Sequence, residues 1–319
     1  MLRASLLYLS KATWARRVVT GWGFARRASA RFVAGETLDA AITSIQTLGA
    51  RRLNATLDHL GERVTTAAEA RAAAGDYLIL LDRICAAGVA SNASLKLSQL
   101  GLGVDTELCR DNLRQIVRKA AECGIFIRID MEDSPTVDRT LDIYRSLAAE
   151  RLTHVGLVLQ AYLFRTEDDL GSLLAEGARI RLCKGAYKEP KHIAFAKKAD
   201  VDRNYDHLAA MMIAASLQTG GEPSSADGRI PARTALATHD PRRIEFARQE
   251  AARLGLPRRA LEFQMLYGIR GDLQQSLAAE GYPVRIYVPY GTEWYPYYVR
   301  RLAERPANVW FFLSNLIRG

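Results

Sequence analysis

The feature that most constrains this chain is a rhythm. From about residue 50 onward, eight short β-like runs alternate with longer amphipathic stretches. The runs are LNATLD from Leu53, SLKLSQ from Ser94, FIRIDME from Phe126, VGLVLQAY from Val155, RIRLCKGAY from Arg179, ALATHD from Ala235, LEFQMLYG from Leu261 and VRIYVPYG from Val284. Between them lie segments such as DNLRQIVRKAAECG and TVDRTLDIYRSLAAE, apolar at helical spacing. Regular alternation of this kind predicts parallel strands joined by right-handed crossovers. Eight units in about 260 residues fit a closed (β/α)8 TIM barrel better than an open sheet. The expected organisation is an N-terminal helical arm over residues 1–50 and an α/β barrel over 51–319. TGGEPSSADGRIP forms one long loop ahead of the sixth strand.

Alternation within the runs supports closure. In FIRIDME one face carries Phe126, Arg128, Asp130 and Glu132, and the other Ile127, Ile129 and Met131. The apolar face belongs against the helices, so the polar face points into the barrel. The same reading sends Leu95 and Leu97 outward with Lys96 and Ser98 inward. In the eighth run it sends Val284, Ile286 and Val288 outward with Arg285 and Tyr287 inward. An interior holding Lys96, Arg128, Asp130, Glu262, Gln264, Arg285 and Tyr287 is costly unless these groups pair or hold a ligand.

Active sites of such barrels form at the C-terminal strand ends. Those ends supply Lys96, Asp130, Gln160, Arg181 with Lys184, His239, Gln264 with Leu266, and Tyr287. The stretch WYPYYVRRLAER follows the eighth strand and brings a helix over the same mouth. Its adjacent Arg300 and Arg301 diverge by about 100°, and Tyr297 neighbours both at i+3 and i+4 spacing. Two guanidinium groups diverging from one helix can grip a small carboxylate from two sides. Singly, each residue has a plainer role: an interior Lys96–Asp130 pair, a core His239, a solvated strand end at Arg181 and Lys184, surface charge at the tandem arginines. Occurrence at seven of eight strand ends favours a site.

Charge and cysteines set the context. The net charge is +9, and residues 1–32 hold seven basic residues and no acidic one, leaving about +2 for the rest. With no recognition motif elsewhere, nucleic-acid binding is not expected. The arm can lie on anionic lipid, serve as an organellar transit segment, or pack as a solvated helix. The longest apolar run, HVGLVLQAYLF from His154, is about half the ~20 residues that span a bilayer. No secretory signal is expected. Cys85, Cys109, Cys123 and Cys183 lack metal-ligand spacing, and no metal site is expected. The apolar neighbours of Cys85 and Cys183 predict buried free thiols and a reducing cytoplasm.

The motifs LKLSQLG, RIDMED, VLQAY, RLCKGAY, ATHD, EFQMLYG, RIYVPYG and YYVRRLAE resemble, in order, those of the proline dehydrogenase (proline oxidase) family, over about residues 53–308. The length is similar to that of the single-function bacterial members. The resemblance implies a distorted barrel that holds non-covalent FAD at the strand ends. It implies that L-proline loses a hydride to flavin N5 and becomes Δ1-pyrroline-5-carboxylate, the first step of proline catabolism to glutamate, with electrons passed on to membrane quinone. By this resemblance Arg300, Arg301 and Lys96 bind the proline carboxylate, and Tyr287, Tyr297 and Leu266 wall the pyrrolidine ring. Gln160, Arg181, Lys184, Gly185, Ala186, Tyr187, Thr238 and His239 contact the flavin. Asp130 tunes the site through Tyr287, and Glu62 forms the gate ion pair with an active-site arginine. The implied location is cytoplasmic, with peripheral contact on the inner face of the cell membrane.

Two other readings share the barrel. A Schiff-base lyase of the class I aldolase type would use Lys96 or Lys184 as an amine nucleophile. A non-catalytic peripheral membrane protein would leave the inner charges purely structural.

Overall fold

Eight parallel strands close on themselves in sequence order in the computed structural model, which describes residues 29–61 and 63–304, with 302–304 as backbone only. They are β1 (Asn54–His59), β2 (Ser91–Lys96), β3 (Ile127–Asp130), β4 (Val155–Gln160), β5 (Ile180–Cys183), β6 (Thr234–Ala237), β7 (Leu261–Leu266) and β8 (Val284–Tyr290). β8 returns to β1 with Thr56 opposite Tyr287, which seals the barrel. The connecting helices are α1 (Leu38–Ala50), α2 (Ala67–Ala87), α3 (Thr106–Glu122), α4 (Val137–Ala149), α5 (Thr166–Ala175), α6 (Lys198–Gln218), α7 (Pro241–Leu254), α8 (Gly271–Ala279) and α9 (Trp294–Glu304). All eight expected strands are present. β2 begins three residues earlier than expected, at Ser91. Its first residues read as a turn because Ser91 and Asn92 are polar, yet Asn92 is a strand residue that faces a polar interior and accepts a bond from Arg285.

The outward faces supply the apolar layer. Leu57, Leu95, Ile127, Ile129, Leu157, Ile180, Leu182, Leu236, Phe263, Ile286 and Val288 are fully buried beneath the helices. Each such side chain contributes roughly 1.5–3 kcal/mol of transfer free energy. α1 packs its Ile42, Ile45 and Leu48 face on the wall formed by β1 and β8. Residues 29–37 strap the same corner: the Ala34 N–H donates to the Pro289 carbonyl at 2.9 Å, and Gly291 N–H to Gly35 at 3.0 Å. Gly268, at φ +72°, lies so close to the strap that a Cβ there would sit 1.7 Å from the Arg31 carbonyl oxygen. Of the expected basic arm, residues 1–28 lie outside the described residues.

Inside, polar groups pair along the barrel axis. Glu262 accepts from Arg285 Nε at 2.8 Å, from Gln264 Nε2 at 2.6 Å and from Ser224 Oγ at 2.6 Å. Arg285 also donates to the Ala55 carbonyl and to Asn92 Oδ1, which accepts from Thr56. Arg128 donates to the Leu157 carbonyl and lies 4.9 Å from the Phe126 ring centroid. The long loop before β6 plugs the N-terminal end of the barrel. Its Glu222 pairs with Arg179 and Arg233, and its Arg229 donates to the Cys123 carbonyl.

Two details differ from expectation or bear on it. Cys85 is exposed, because it follows Ile84 on α2 and points away from the Leu81–Ile84 face; Cys183 is only part-buried. Among the described residues no helix is long and apolar enough to cross a membrane.

Removing the Glu262 carboxylate leaves Arg285 buried without its counter-charge. Glu262→Ala is expected to lower unfolding free energy by roughly 3–5 kcal/mol, read as a lower urea midpoint. An unchanged midpoint would show that the pair carries no stability.

Candidate active site

At the C-terminal mouth the polar column ends on Asp130. Its Oδ1 accepts from Ser94 Oγ at 2.6 Å and from Arg181 Nη2, and its Oδ2 accepts from Tyr287 Oη at 2.8 Å. Lys96 Nζ lies 3.7 Å from Oδ2 and donates to Asp58 Oδ1 at 3.2 Å. The Arg181 guanidinium sits 5.3 Å from the Tyr287 ring centroid and also reaches Gln264. Lys96, Asp130, Arg181, Gln264 and Tyr287 are therefore brought into one network. The residue missed from sequence is Asp58, 1% exposed on β1. The signal was present in the polar alternation Asn54, Thr56, Asp58 of the first strand.

Electrostatics follow from this packing. Desolvation works against ionising Asp130, but Arg181, Lys96, Ser94 and Tyr287 outweigh it and hold the carboxyl below the ordinary aspartate value. Desolvation likewise opposes the Lys96 ammonium, and the charges of Asp58 and Asp130 overcome it, so Lys96 is pushed up. Burial, then Asp130, raises the Tyr287 phenol far above its usual value, so it stays a donor.

The remaining predicted residues fall around this centre. Leu266 is in register with Tyr287, and its N–H donates to His239 Nε2 at 2.9 Å, which places the ring proton on Nδ1. Thr238 Oγ1 accepts from the Asp240 N–H. Gln160 donates its amide to the Glu132 carbonyl at 2.8 Å. Lys184 does not join the Asp130 network; its ammonium lies between Asp202 and Asp240, and Asp240 also caps α7. Gly185, at φ +115°, rests on the Tyr162 ring, where a Cβ would come within 2.2 Å. Ala186 and Tyr187 follow it on the exposed rim.

α9 closes the constellation. Phe32 and Glu36 of the strap hold it, the latter accepting from Trp294 Nε1 at 3.2 Å. Arg301 lies 5.0 Å from the Tyr297 ring centroid. Arg300 reaches solvent yet is ringed by protein. Desolvation and then the Arg301 charge hold it below the ordinary guanidinium value, while Tyr187, Tyr297 and Asp58 partly oppose this. An incoming anion relieves both strains. Glu62 lies outside the described residues.

With this geometry in place, similarity to known proteins is decisive. The proline dehydrogenase family model matches residues 41–313. The chain belongs to the proline dehydrogenase family. It is 38% identical over 316 residues to proline dehydrogenase 2 of Bacillus subtilis (strain 168), covering 99% of each chain. It is 42% identical over 293 residues to the proline dehydrogenase of Deinococcus radiodurans, covering 91% of this chain and 90% of that one. Its fold matches proline utilization A from Bdellovibrio bacteriovorus, inactivated by N-propargylglycine, with TM-score 0.77 and 25% identity. That match covers 87% of this chain and 32% of the other, so this chain spans about a third of that protein. This chain is an oxidoreductase, and proline oxidation is the activity its family membership supports.

The mouth also passes a test of fit for a flat anionic cofactor. Arg181 and Lys96 present positive charge, and the Gly185 backbone lies against an aromatic face. Tyr187 stands 39% exposed beside this stretch, and desolvation, then the Glu132 charge, push its phenol up. Two surface hollows of about 290 and 300 Å³ lie along the strap, and no predicted site residue lines them.

Because Asp130 is held below the ordinary value of 3.8, its contribution to stability is present above that value. It is lost as pH falls through the lower folded value. Asp130→Asn is expected to cost about 1.5–3 kcal/mol at pH 7, with the gap in Tm from wild type closing at pH values below 3.8. A gap that stays constant down to that range would contradict the assignment.

Proposed function

We propose that this chain is a single-function, FAD-dependent proline dehydrogenase of the cytoplasm that converts L-proline to Δ1-pyrroline-5-carboxylate, the first step toward glutamate. FAD, when bound, supplies the hydride acceptor at N5 and the route for electrons to a membrane quinone. The observation that carries the reading is the shared Asp130 carboxylate, which fixes Lys96, Arg181 and Tyr287 at one mouth.

Each residue then has a definite task. Lys96, Arg300 and Arg301 receive the substrate carboxylate, three cations around one small anion. Tyr287, Leu266 and Tyr297 wall the ring, with Tyr287 oriented by Asp130. Gln160, Lys184, Gly185, Ala186, Tyr187, Thr238 and His239 line the cofactor cradle, and Arg181 presents positive charge where negative charge develops on reduction. Glu62 supplies the gate pair. Once the proline amine has given up its proton to solvent and is neutral, positioning by the rigid strand ends suffices and hydride loss needs no strong acid or base from the chain. A Schiff-base role is disfavoured at Lys96, because a nucleophilic lysine needs a lowered pKa and Lys96 is shifted upward, while Lys184 is ion-paired with Asp202 and Asp240 outside the Asp130 network.

Anaerobic mixing of the purified, yellow protein with L-proline should bleach the flavin. Arg301→Met, and to a similar degree Arg300→Met, should keep FAD while raising KM for proline by roughly ten- to a hundredfold, the equivalent of about 1.5–3 kcal/mol. Unchanged KM in both variants would remove the carboxylate role.

The quinone must be met at a membrane, and the seven cations of residues 1–32 suit a peripheral approach to anionic lipid. Binding to anionic but not zwitterionic vesicles, weakened by salt and by deletion of residues 1–28, which spares the strap, is the expected result. An intact protein that ignores both vesicle types would retire this contact.

A further inference from the structure

The turn after β3 and the loop after β5 are joined by a side chain that the reaction itself does not require. The loop over residues 184–195 is anchored at its two ends. Lys184 O accepts from Tyr162 N–H at 2.9 Å, Gly185 rests on the Tyr162 ring, and Phe195 N–H donates to the Tyr162 carbonyl at 2.8 Å. Between these anchors Ala186, Tyr187 and Lys188 are all exposed. The fastening that follows them is Glu189. Its Oε1 accepts from Ser134 N–H at 2.8 Å and its Oε2 from Ser134 Oγ at 2.6 Å, while Tyr162 Oη approaches Oε1 at 3.5 Å.

The Ser134 turn is itself fixed from behind. Glu132 accepts from Ser98 Oγ at 2.6 Å and Ser98 N–H at 2.9 Å, and its carbonyl holds the Gln160 amide. The turn therefore fixes Gln160 directly and the Ala186–Tyr187 stretch through Glu189. The outlying Asp133–Arg63 contact, 3.7 Å and solvent-exposed, adds little.

We propose that Glu189 is a positioning residue for the cofactor cradle, holding the Ala186–Tyr187 stretch against the mouth by its paired bonds to Ser134. This rests on the reading above that the stretch contacts FAD. Both Glu189 carboxylate oxygens are engaged by Ser134, one by its N–H and one by its hydroxyl, so the side chain holds the loop to the turn after β3.

The test compares wild type with Glu189→Ala, Glu189→Gln and Ser134→Ala in the full-length protein. FAD affinity is measured by titrating flavin-stripped protein, and loop order by the rate of tryptic cleavage after Lys188. Glu189→Ala is expected to weaken FAD binding roughly tenfold and to speed that cleavage even without flavin. Ser134→Ala should show a smaller effect on both. Glu189→Gln, which keeps an acceptor for the Ser134 N–H, should recover most of the affinity. At saturating FAD, kcat and KM for proline should stay within about twofold of wild type, well inside the tenfold set by 1.4 kcal/mol. Wild-type protein that takes up no FAD overturns the cofactor reading on which the proposal rests. Wild type that binds FAD, with Glu189→Ala binding it equally well, overturns the positioning role. A kcat that collapses at saturating FAD also overturns it, by making Glu189 part of the chemistry.

Discussion

Asp130 takes hydrogen bonds from Ser94 and Tyr287, pairs with Arg181, and faces Lys96 at 3.7 Å. One carboxylate thus ties together β2, β3, β5 and β8 at the mouth. Glu262 does the corresponding work lower down, joining β7, β8 and the plug loop through Arg285 and Ser224. A barrel interior filled with Val and Ile gains stability without regard to chemistry. An interior filled with charge is stable only while every partner is present. The consequence is that fold and site share atoms here, so a substitution at Asp130 disturbs both.

Charge balance gives the mouth its direction. Among the described interior side chains, the cations Lys96, Arg128, Arg181 and Arg285 share the barrel with the carboxylates Asp58, Asp130, Glu132 and Glu262. That is four charges of each sign, so the positive charge that tips the mouth comes from Arg300 and Arg301 on α9. Arg300 is held below the ordinary guanidinium value by desolvation first and then by the Arg301 charge. A small anion entering the mouth completes a set of interactions that the protein leaves short. The same set disfavours a cationic or extended apolar occupant.

The barrel was legible because eight strand-like runs alternate with helical ones and a period of two within them leaves few alternatives; the outward Leu95, Ile127, Ile129, Ile286 and Val288 fall where it puts them. The start of β2 was not, since Ser91 and Asn92 look like a turn until Arg285, nearly two hundred residues away, is seen to need an acceptor. Asp58 was overlooked although Asn54, Thr56 and Asp58 alternate along its strand; its partner Lys96, on another strand, shows what it does. Lys184 was placed correctly at a strand end, but its engagement by Asp202 and Asp240 depends on where two helices begin. Cys85 was misjudged because apolar neighbours in sequence do not share its helix face. Long-range pairing, rather than local pattern, separates what sequence conveys from what it does not.

The last structural element shows how remote packing delivers a site. In a regular barrel the helix after β8 would cover the outer wall of that strand. Here α1 packs against β1 and β8 instead, and the 29–37 strap bonds to Pro289 and Gly291. With the wall already covered, α9 is released toward the mouth and held there by Phe32 and Glu36. Neither α1 nor the strap contributes a predicted substrate or cofactor contact. Yet without them the hydrophobic wall of β8 would compete for α9, and the arginine pair would lie beside the barrel rather than at its mouth.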